Sequence, residues 1–279
     1  MPSSALLFPG QGSHAEGMEE PYRGHPLLER GLDLLGYDPF DQLAEGTRFQ
    51  QPALFLCSVA AWDSWRDDAG EQAESDSEIV AAAGHSLGEY SALVAAGALA
   101  FDDAVRLVDE RAAAMADAGE LVPGGMVAML GGDARAVGTL ARRLGLTVAN
   151  DNAPGQLVLS GPVEAVDTAA ELARDDTGAR ARRLDVTGAF HSPLMEPAAE
   201  RLRVALAATP VHAPAIPVYA NVSAAPFTDI RSQLAEGLLR PVRWRETLLA
   251  MRAAGVERFV ELGPGTVLTG LVKRTLQAA

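Results

Sequence analysis

Short apolar runs alternate with longer amphipathic segments along most of the chain. Residues 5–8 and 79–83 are apolar runs that end at a proline or glycine, which is typical of buried strands. Residues 101–118 carry apolar positions at helical spacing, and residues 52–65 and 89–100 are apolar on nearly every face, which predicts buried helices. Strands that alternate with helices favour a mostly parallel sheet with helices on both faces.

The pattern changes after residue 122. Apolar runs predict strands at 126–130, 147–149, 156–160 and 181–186, and amphipathic segments predict helices at 134–144 and 163–174. The order β-α-β-β-α-β is the split arrangement of ferredoxin-like folds. We therefore predict a large α/β subdomain, residues 1–122 and 188–279, with a small ferredoxin-like subdomain inserted at 123–187.

The remaining segments complete the large subdomain. Residues 15–50 predict helices and loops, and residues 67–78, which are acidic and lack apolar periodicity, predict a solvated loop. After the insert, we predict helices at 197–208 and 244–254, strands at 218–220 and 258–262, and a short terminal helix after residue 265.

Composition and charge narrow the function classes. The chain has 279 residues, of which 48% are hydrophobic and 22% charged, and its net charge is −14. A nucleic-acid-binding protein usually carries the opposite sign, so we expect no nucleic-acid partner. No apolar stretch reaches the roughly 18 residues that a membrane span needs, and residues 1–10 lack the basic region of a signal peptide. The single cysteine, Cys57, excludes an intramolecular disulfide and fits a cytoplasmic location.

The segment Gly84-His85-Ser86-Leu87-Gly88 lies between a predicted strand and a predicted helix. A Gly-x-Ser-x-Gly sequence at such a junction is a nucleophile elbow, in which the glycines permit a tight turn and the serine hydroxyl stands clear of the backbone. The following helix directs its free N–H groups to the place where an oxyanion would form. The pattern indicates acyl-transfer chemistry.

A serine nucleophile needs a base, and the chain has five histidines. His85 adjoins Ser86, but neighbours at an elbow point in different directions. His191 stands where the chain re-enters the large subdomain, and its spacing modestly favours a base over a structural histidine. A second glycine-rich turn, residues 10–13, is either an additional source of oxyanion N–H groups or a plain turn.

Four motifs occur in order: FPGQGS at 8–13, GHSLGEYSAL at 84–93, AFHSPLM at 189–195 and GPG at 263–265. Together they resemble the malonyl-CoA:acyl carrier protein transacylases of fatty acid synthesis and the related acyltransferase domains of polyketide synthases. The resemblance runs from about residue 6 to residue 276. It is far more specific than one Gly-x-Ser-x-Gly, which many esterases share.

The resemblance implies roles for individual residues. Ser86 is the implied acyl-accepting nucleophile and His191 its general base. In this family a backbone carbonyl, rather than an acid, orients the histidine, and the matching position is Arg243. The N–H groups of Gln11 and Leu87 are the implied oxyanion hole.

Further implied residues bind the substrate. Arg111, 25 residues after Ser86, matches the arginine that pairs with the malonyl carboxylate, a task that suits a planar guanidinium. Without the motifs it would be a surface residue of an amphipathic helix. Gln51 matches a glutamine that lines the cleft, and Asn152 matches a turn that borders it. Phe190 goes with malonyl rather than methylmalonyl in polyketide relatives, since its ring crowds an α-methyl branch.

The implied fold is an α/β-hydrolase-like core with a parallel sheet and the ferredoxin-like insert. The implied reaction is ping-pong transfer from malonyl-CoA to the phosphopantetheine thiol of an acyl carrier protein, without a metal or a permanently bound cofactor. The pathway, fatty acid or polyketide synthesis, stays open. The chain ends are typical of a free-standing protein, so we expect it to act in trans.

Three alternatives differ in class. An acyl hydrolase would use the same pair and transfer the acyl group to water, but hydrolysing relatives tend to lack the arginine at Arg111. A general esterase has its histidine near the C-terminus, whereas 88 residues follow His191. A non-catalytic docking module would not need Ser86, His191 and Arg111 together. Within the transacylases, a different acyl-CoA or acyl-carrier substrate stays open.

The carrier protein poses a question of charge, because carrier proteins are usually acidic and so is this chain. Docking therefore needs a local basic patch. The candidates are Arg180, Arg182 and Arg183, or Lys273 and Arg274 near the C-terminus.

Overall fold

The computed structural model describes residues 2–71 and 78–278. The strands in these ranges are β1 (Ser3–Phe8), β2 (Glu78–Gly84), β3 (Gly124–Leu130), β4 (Thr147–Ala153), β5 (Gln156–Pro162), β6 (Arg180–Arg183), β7 (Val218–Ala220), β8 (Ala225–Pro226) and β9 (Arg258–Glu261). The helices are α1 (Pro26–Leu35), α2 (Thr47–Glu71), α3 (Gly88–Ala95), α4 (Phe101–Leu121), α5 (Ala134–Arg143), α6 (Val163–Thr177), α7 (Glu196–Ala208), α8 (Ile230–Glu236), α9 (Trp244–Ala253) and α10 (Val267–Gln277). Short 3-10 helices lie at Glu20–Tyr22, Phe40–Glu45 and Pro193–Met195.

The large subdomain is built on a five-stranded sheet in the order β8-β7-β2-β1-β9. β1 pairs in parallel with β2 and β9, and β2 pairs in parallel with β7. Among the described strands of this five-stranded sheet, only the β7–β8 pair is antiparallel. Leu6 and Phe8 of β1 face one buried apolar cluster, and Ala5 and Leu7 face another, because side chains alternate along a strand. The predicted parallel sheet with two covered faces is confirmed.

The small subdomain is an antiparallel sheet in the order β4-β5-β3-β6. On one face, Val127 and Met129 of β3 pack in a cluster with residues of α5 and α6. Met126 and Ala128, the alternate residues of β3, belong to the core cluster of the large subdomain. The order β-α-β-β-α-β confirms the predicted ferredoxin-like arrangement. Its strands and helices span residues 124–183, and the exact limits of the insert, 123 and 187, stay a prediction.

The two sheets are joined on one side. The backbone N–H of Asp151 donates to the Val242 carbonyl at 2.9 Å, and the N–H of Val242 donates to the Ala149 carbonyl at 2.8 Å. The Arg245 guanidinium pairs with the Asp151 carboxylate at 2.7 Å. These contacts hold the small sheet against the start of α9 and leave a cleft between the sheets.

Several element boundaries differ from the predictions. α2 begins at Thr47 rather than at residue 52, because the Gly46 carbonyl accepts from the Phe49 and Gln50 N–H groups and starts the helix one turn earlier. A proline usually marks the first helical turn, and this preference misplaced the start. α2 continues to Glu71, so the predicted loop is wrong for residues 67–71, and residues 72–77 lie outside the described ranges.

Other elements were shorter than predicted or were missed. α3 ends at Ala95 because Gly97, with φ +72°, turns the chain away. β8 and α8 were not predicted, since two and seven residues carry too little periodicity. None of the helices in the described ranges combines the length and the apolar character that crossing a bilayer requires.

Candidate active site

The turn between β2 and α3 places Ser86 at the carboxyl end of the sheet. A Cβ on Gly84 would lie 1.8 Å from the Gly88 carbonyl carbon, and one on Gly88 would lie 2.2 Å from the Phe8 carbonyl oxygen. Neither position can hold a larger residue without displacing the backbone. Ser86 has φ +51°, a left-handed conformation that costs a non-glycine residue on the order of 1–3 kcal/mol. The turn has the tightness that the Gly-x-Ser-x-Gly pattern predicts.

The Ser86 hydroxyl lies between a histidine and an arginine. Ser86 Oγ is 2.9 Å from His191 Nε2, and an Arg111 Nη2 donates to the same oxygen at 3.0 Å. His191 and Arg111 are 6% and 4% exposed. The fold thus brings together three residues that the sequence analysis had selected separately.

His191 also has a left-handed backbone, with φ +56°. Its Nδ1 lies 2.6 Å from the Gly237 carbonyl oxygen. A carbonyl can only accept, so Nδ1 carries the proton and Nε2 presents its lone pair to Ser86. Burial, and then the Arg111 charge, lower the pKa of His191 from 6.5 to about 3. The imidazole is therefore neutral at neutral pH, as a general base must be.

The predicted role of Arg243 is wrong, because Gly237 supplies the carbonyl that orients His191. Arg243 precedes α9, and its own carbonyl accepts from the backbone N–H of Thr247 at 2.9 Å and from Thr247 Oγ1 at 3.0 Å. The backbone carbonyl oxygen of Arg243 therefore bonds the first turn of α9 and not His191. Gly237 directly follows α8, a helix that the sequence did not predict.

Gln51 does not line the cleft as predicted. It is fully buried, and the cleft wall at this point is formed by Gln50. Gln51 instead accepts from Arg111 through its Oε1 and donates to Thr47 Oγ1 at 2.7 Å. Gln51 therefore lies on the buried face of α2, where its amide oxygen binds the guanidinium.

The loop after β1 is tied to the same turn of α2. Thr47 Oγ1 donates to Gln11 Oε1 at 3.0 Å, and Gln11 Nε2 donates to Gln50 Oε1 at 2.7 Å. A Cβ on Gly10 would lie 2.2 Å from the His85 carbonyl oxygen, so this loop is pressed against the elbow. Side-chain hydrogen bonds therefore run from the Gln11 loop through Thr47 and Gln51 to Arg111.

Gln11 and Leu87 both line the cleft beside Ser86. Across the described residues, the backbone N–H groups of these two residues donate to no other group of the chain. Two free N–H groups next to a serine hydroxyl are the donors that an oxyanion requires.

The cleft has a volume of about 580 Å³ and lies between the two sheets. Phe190, Met126 and Ala128 form part of its apolar wall, and Asn152 lies on the small-sheet side. The amide oxygen of Asn152 is 2.8 Å from His85 Nε2, so this ring nitrogen is bonded to Asn152, whereas His191 Nε2 contacts the Ser86 hydroxyl.

Two further candidate residues, Asn221 and Glu89, are not predicted from the sequence. Asn221 follows β7 and bonds the Ser86 N–H through Oδ1 at 2.6 Å. Glu89, on the first turn of α3, accepts from the Asn221 N–H at 2.8 Å. The position of Asn221 directly after a buried strand could have indicated it, because polar residues at the carboxyl ends of parallel strands meet at the sheet edge where sites form.

Comparisons with known proteins agree with this geometry. Residues 32–279 match the protein family described as acyl transferase domain. The malonyl CoA-acyl carrier protein transacylase of Bacillus subtilis is 41% identical, covering 98% of this chain and 90% of that protein. The solved structure of the corresponding transacylase of Coxiella burnetii superposes with a TM-score of 0.90 at 36% identity, covering 100% of this chain and 92% of the other. A malonyl-transacylase solved in complex with a type II polyketide synthase acyl carrier protein gives 0.89 at 36% identity, covering 99% and 93%.

The close approach of Gly88 to β1 predicts a large effect from one methyl group. Gly88→Ala should lower the free energy of unfolding by about 1–3 kcal/mol, because backbone atoms rather than flexible side chains block the new Cβ. Gly138→Ala is the matched control on α5, where the nearest atom is the end of Arg142 at 3.7 Å. The control should gain about 0.5–1 kcal/mol. Urea denaturation measures both, and a Gly88→Ala protein as stable as the wild type would contradict the steric argument.

Proposed function

The chain belongs to the acyl transferase family, among the malonyl-CoA:acyl carrier protein transacylases, and from this premise we propose which of its residues perform the reaction. It is an acyltransferase that moves a malonyl group from malonyl-CoA to the phosphopantetheine thiol of an acyl carrier protein. The observation that carries the residue assignment is the contact of Ser86 Oγ with His191 Nε2 and with Arg111.

In the first half-reaction, Ser86 Oγ attacks the thioester carbonyl of malonyl-CoA while His191 Nε2 takes its proton. The N–H groups of Gln11 and Leu87 bind the tetrahedral oxyanion. The C–S bond then breaks, and the coenzyme A sulfur leaves with the proton that His191 holds. The Gly237 carbonyl stabilises the imidazolium that forms between these steps.

In the second half-reaction, the phosphopantetheine thiol of the carrier protein transfers its proton to His191 and attacks the malonyl ester. The same two N–H groups bind the second oxyanion. The C–O bond breaks, Ser86 Oγ recovers the proton from His191, and malonyl leaves on the carrier. In both half-reactions His191 accepts and returns each proton that is transferred. The proposed mechanism therefore uses no metal and no permanently bound cofactor.

Arg111 is the residue that we assign to the malonyl carboxylate. Within the described residues it forms no ion pair with a carboxylate, although it is 4% exposed. Burial raises the pKa of the nearby Glu89 to about 8, so that carboxyl is mostly protonated at neutral pH and leaves the Arg111 charge available. A buried cation without an anion is unfavourable, and a carboxylated acyl group supplies the missing charge. This favours malonyl transfer over a hydrolase of uncharged acyl groups.

Intact mass spectrometry tests these assignments. The wild type incubated with malonyl-CoA should gain one malonyl group, and Ser86→Ala should gain none, because no other hydroxyl is activated.

Arg111→Ala should lower malonyl labelling about 100-fold, which is the scale of a broken buried charge pair. The same variant should retain labelling by acetyl-CoA, whose acyl group has no carboxylate.

The same samples separate transferase from hydrolase. The malonyl adduct should persist in buffer and disappear when an acyl carrier protein is added. An adduct on Ser86→Ala would refute the nucleophile, and rapid loss of the adduct to water would refute the transferase assignment.

Phe190 is our candidate for selectivity between extender groups. It lines the cleft and is 4% exposed, and a Cβ on Gly188 would lie 2.5 Å from its ring, so the ring packs directly on the Gly188 backbone. A ring held in this way has little freedom to yield to an α-methyl branch.

Competition between malonyl-CoA and methylmalonyl-CoA checks this role. The wild type should prefer malonyl roughly 10–200-fold, the range that one methyl group allows. Phe190→Ala should lower the preference while leaving malonyl labelling intact. Equal wild-type rates with the two substrates would contradict the proposal.

Residues from both basic patches predicted from the sequence lie at or beside one rim of the cleft: Arg182 lines it, and Arg274 bonds a residue that lines it. Gln156 of β5 is paired with Leu130 of β3, which is paired in turn with Arg180 of β6. Arg274 bonds the Gln156 side chain, and both Gln156 and Leu130 line the cleft. We propose this basic rim, Arg180, Arg182 and Arg274, as the docking face for the acidic carrier protein. Cytoplasmic location and action in trans stay predictions.

Charge reversal tests the rim. Arg180→Glu combined with Arg274→Glu should slow transfer to the carrier at least about tenfold at low salt and weaken its salt dependence. Arg258→Glu is the matched control, because this exposed residue begins β9 at the opposite end of the sheet from Ser86. Equal transfer rates in the double variant and the control would refute the proposal that the carrier protein docks on the basic rim.

A further inference from the structure

Asn221 is 1% exposed, and all four of its polar groups are used. Its Oδ1 accepts from the Ser86 N–H at 2.6 Å, and its Nδ2 donates to the Gly84 carbonyl at 2.7 Å. Its backbone carbonyl accepts from the Arg243 N–H at 3.1 Å. One side chain thus spans the elbow, binding the residue before the turn and the nucleophile at its centre.

Glu89 fixes the remaining group of Asn221. Its Oε1 accepts from the Asn221 N–H at 2.8 Å, and it is 5% exposed. Its other carboxyl oxygen faces Gly237, where a Cβ would meet it at 3.7 Å. Gly237 supplies the carbonyl that orients His191. One buried carboxyl therefore lies between the support of the nucleophile and the support of the base.

The backbone of Ser86 needs such support. Its left-handed conformation is unfavourable for a serine and persists only where its surroundings hold it. The N–H of Ser86 is outside α3 and the sheet, and Asn221 is the acceptor that satisfies it. Relaxation of this residue would move Oγ away from His191 Nε2, and misplacement of a reacting atom by about 1 Å can cost roughly 100-fold in rate.

We propose that Asn221 and Glu89 form a clamp that positions the Ser86–His191 pair, with Asn221 holding the strained nucleophile and Glu89 holding Asn221 against the Gly237 segment. Both are positioning residues, since neither touches the reacting atoms. The inference rests on the proposed function of Ser86 and His191. Glu89 acts through its acceptor oxygen, which a glutamine also offers, and burial already keeps the carboxyl mostly neutral at neutral pH.

Single-turnover acylation of Ser86, followed by intact mass over a range of malonyl-CoA concentrations, tests the clamp. Asn221→Ala and Glu89→Leu should each lower the maximal rate about 100-fold, while the half-saturating concentration changes less than about threefold because Arg111 and the cleft walls remain. Glu89→Gln should stay within about threefold of the wild-type rate, because glutamine keeps the acceptor oxygen; if Glu89 acted through a negative charge, this variant would be as slow as Glu89→Leu. The Asn221→Ala/Glu89→Leu double variant should be no slower than the slower single variant, because the two residues act as one unit.

Conservative variants keep the test decisive if the truncations fail to fold. Asn221→Asp retains an acceptor for the Ser86 N–H but loses the donor to the Gly84 carbonyl, and it should be about tenfold slower. A folded Asn221→Ala or Glu89→Leu with wild-type maximal rate would overturn the clamp. So would a change confined to half-saturation, an unimpaired Asn221→Asp, or a Glu89→Gln as slow as Glu89→Leu. A wild type that forms no adduct would instead overturn the proposed function.

Discussion

The strand–helix turn at Ser86 has no space for a Cβ on either side, and the rest of the site depends on this constraint. Gly84 lies against the start of α3, and Gly88 lies against the carbonyl of Phe8 in β1. This contact brings the helix N-terminus over the sheet edge and puts Ser86 in a left-handed conformation. Neighbouring segments then contact the strained serine: Asn221, directly after β7, accepts from its N–H, and the imidazole of His191, from the segment after the insert, contacts its hydroxyl.

Burial determines the electrostatics of the site as much as the charges do. His191 has no acidic partner, and its pKa is lowered by burial and by Arg111, so the ring stays neutral beside Ser86. The same burial raises the pKa of Glu89, which prevents that carboxyl from neutralising Arg111. Neutral groups, Gln51 and the Tyr90 ring, hold the guanidinium instead. A cation held by neutral neighbours keeps its full attraction for an incoming carboxylate.

The motifs and their order predicted most of the candidate site, because the residues that we propose for the chemistry lie in short, distinctive segments. Ser86 and Leu87 belong to the elbow, Gln11 to the glycine-rich turn after β1, and His191 to the segment after the insert. Local sequence was less informative where a role depends on which face of a helix or which carbonyl is presented. Gln51 turned out to hold Arg111 rather than to line the cleft, and Gly237 rather than Arg243 orients His191.

The sequence by itself determined the alternation of strands and helices, the change of pattern at the insert, and the turn at Ser86, because these follow from side-chain periodicity and from residues without a Cβ. Only the tertiary structure decided the partners of Ser86, since Asn221, Arg111 and His191 are separated from it by 25 to 135 residues. Hydrogen bonds over such separations depend on strand order and helix packing. A linear pattern does not contain that information until the chain is folded.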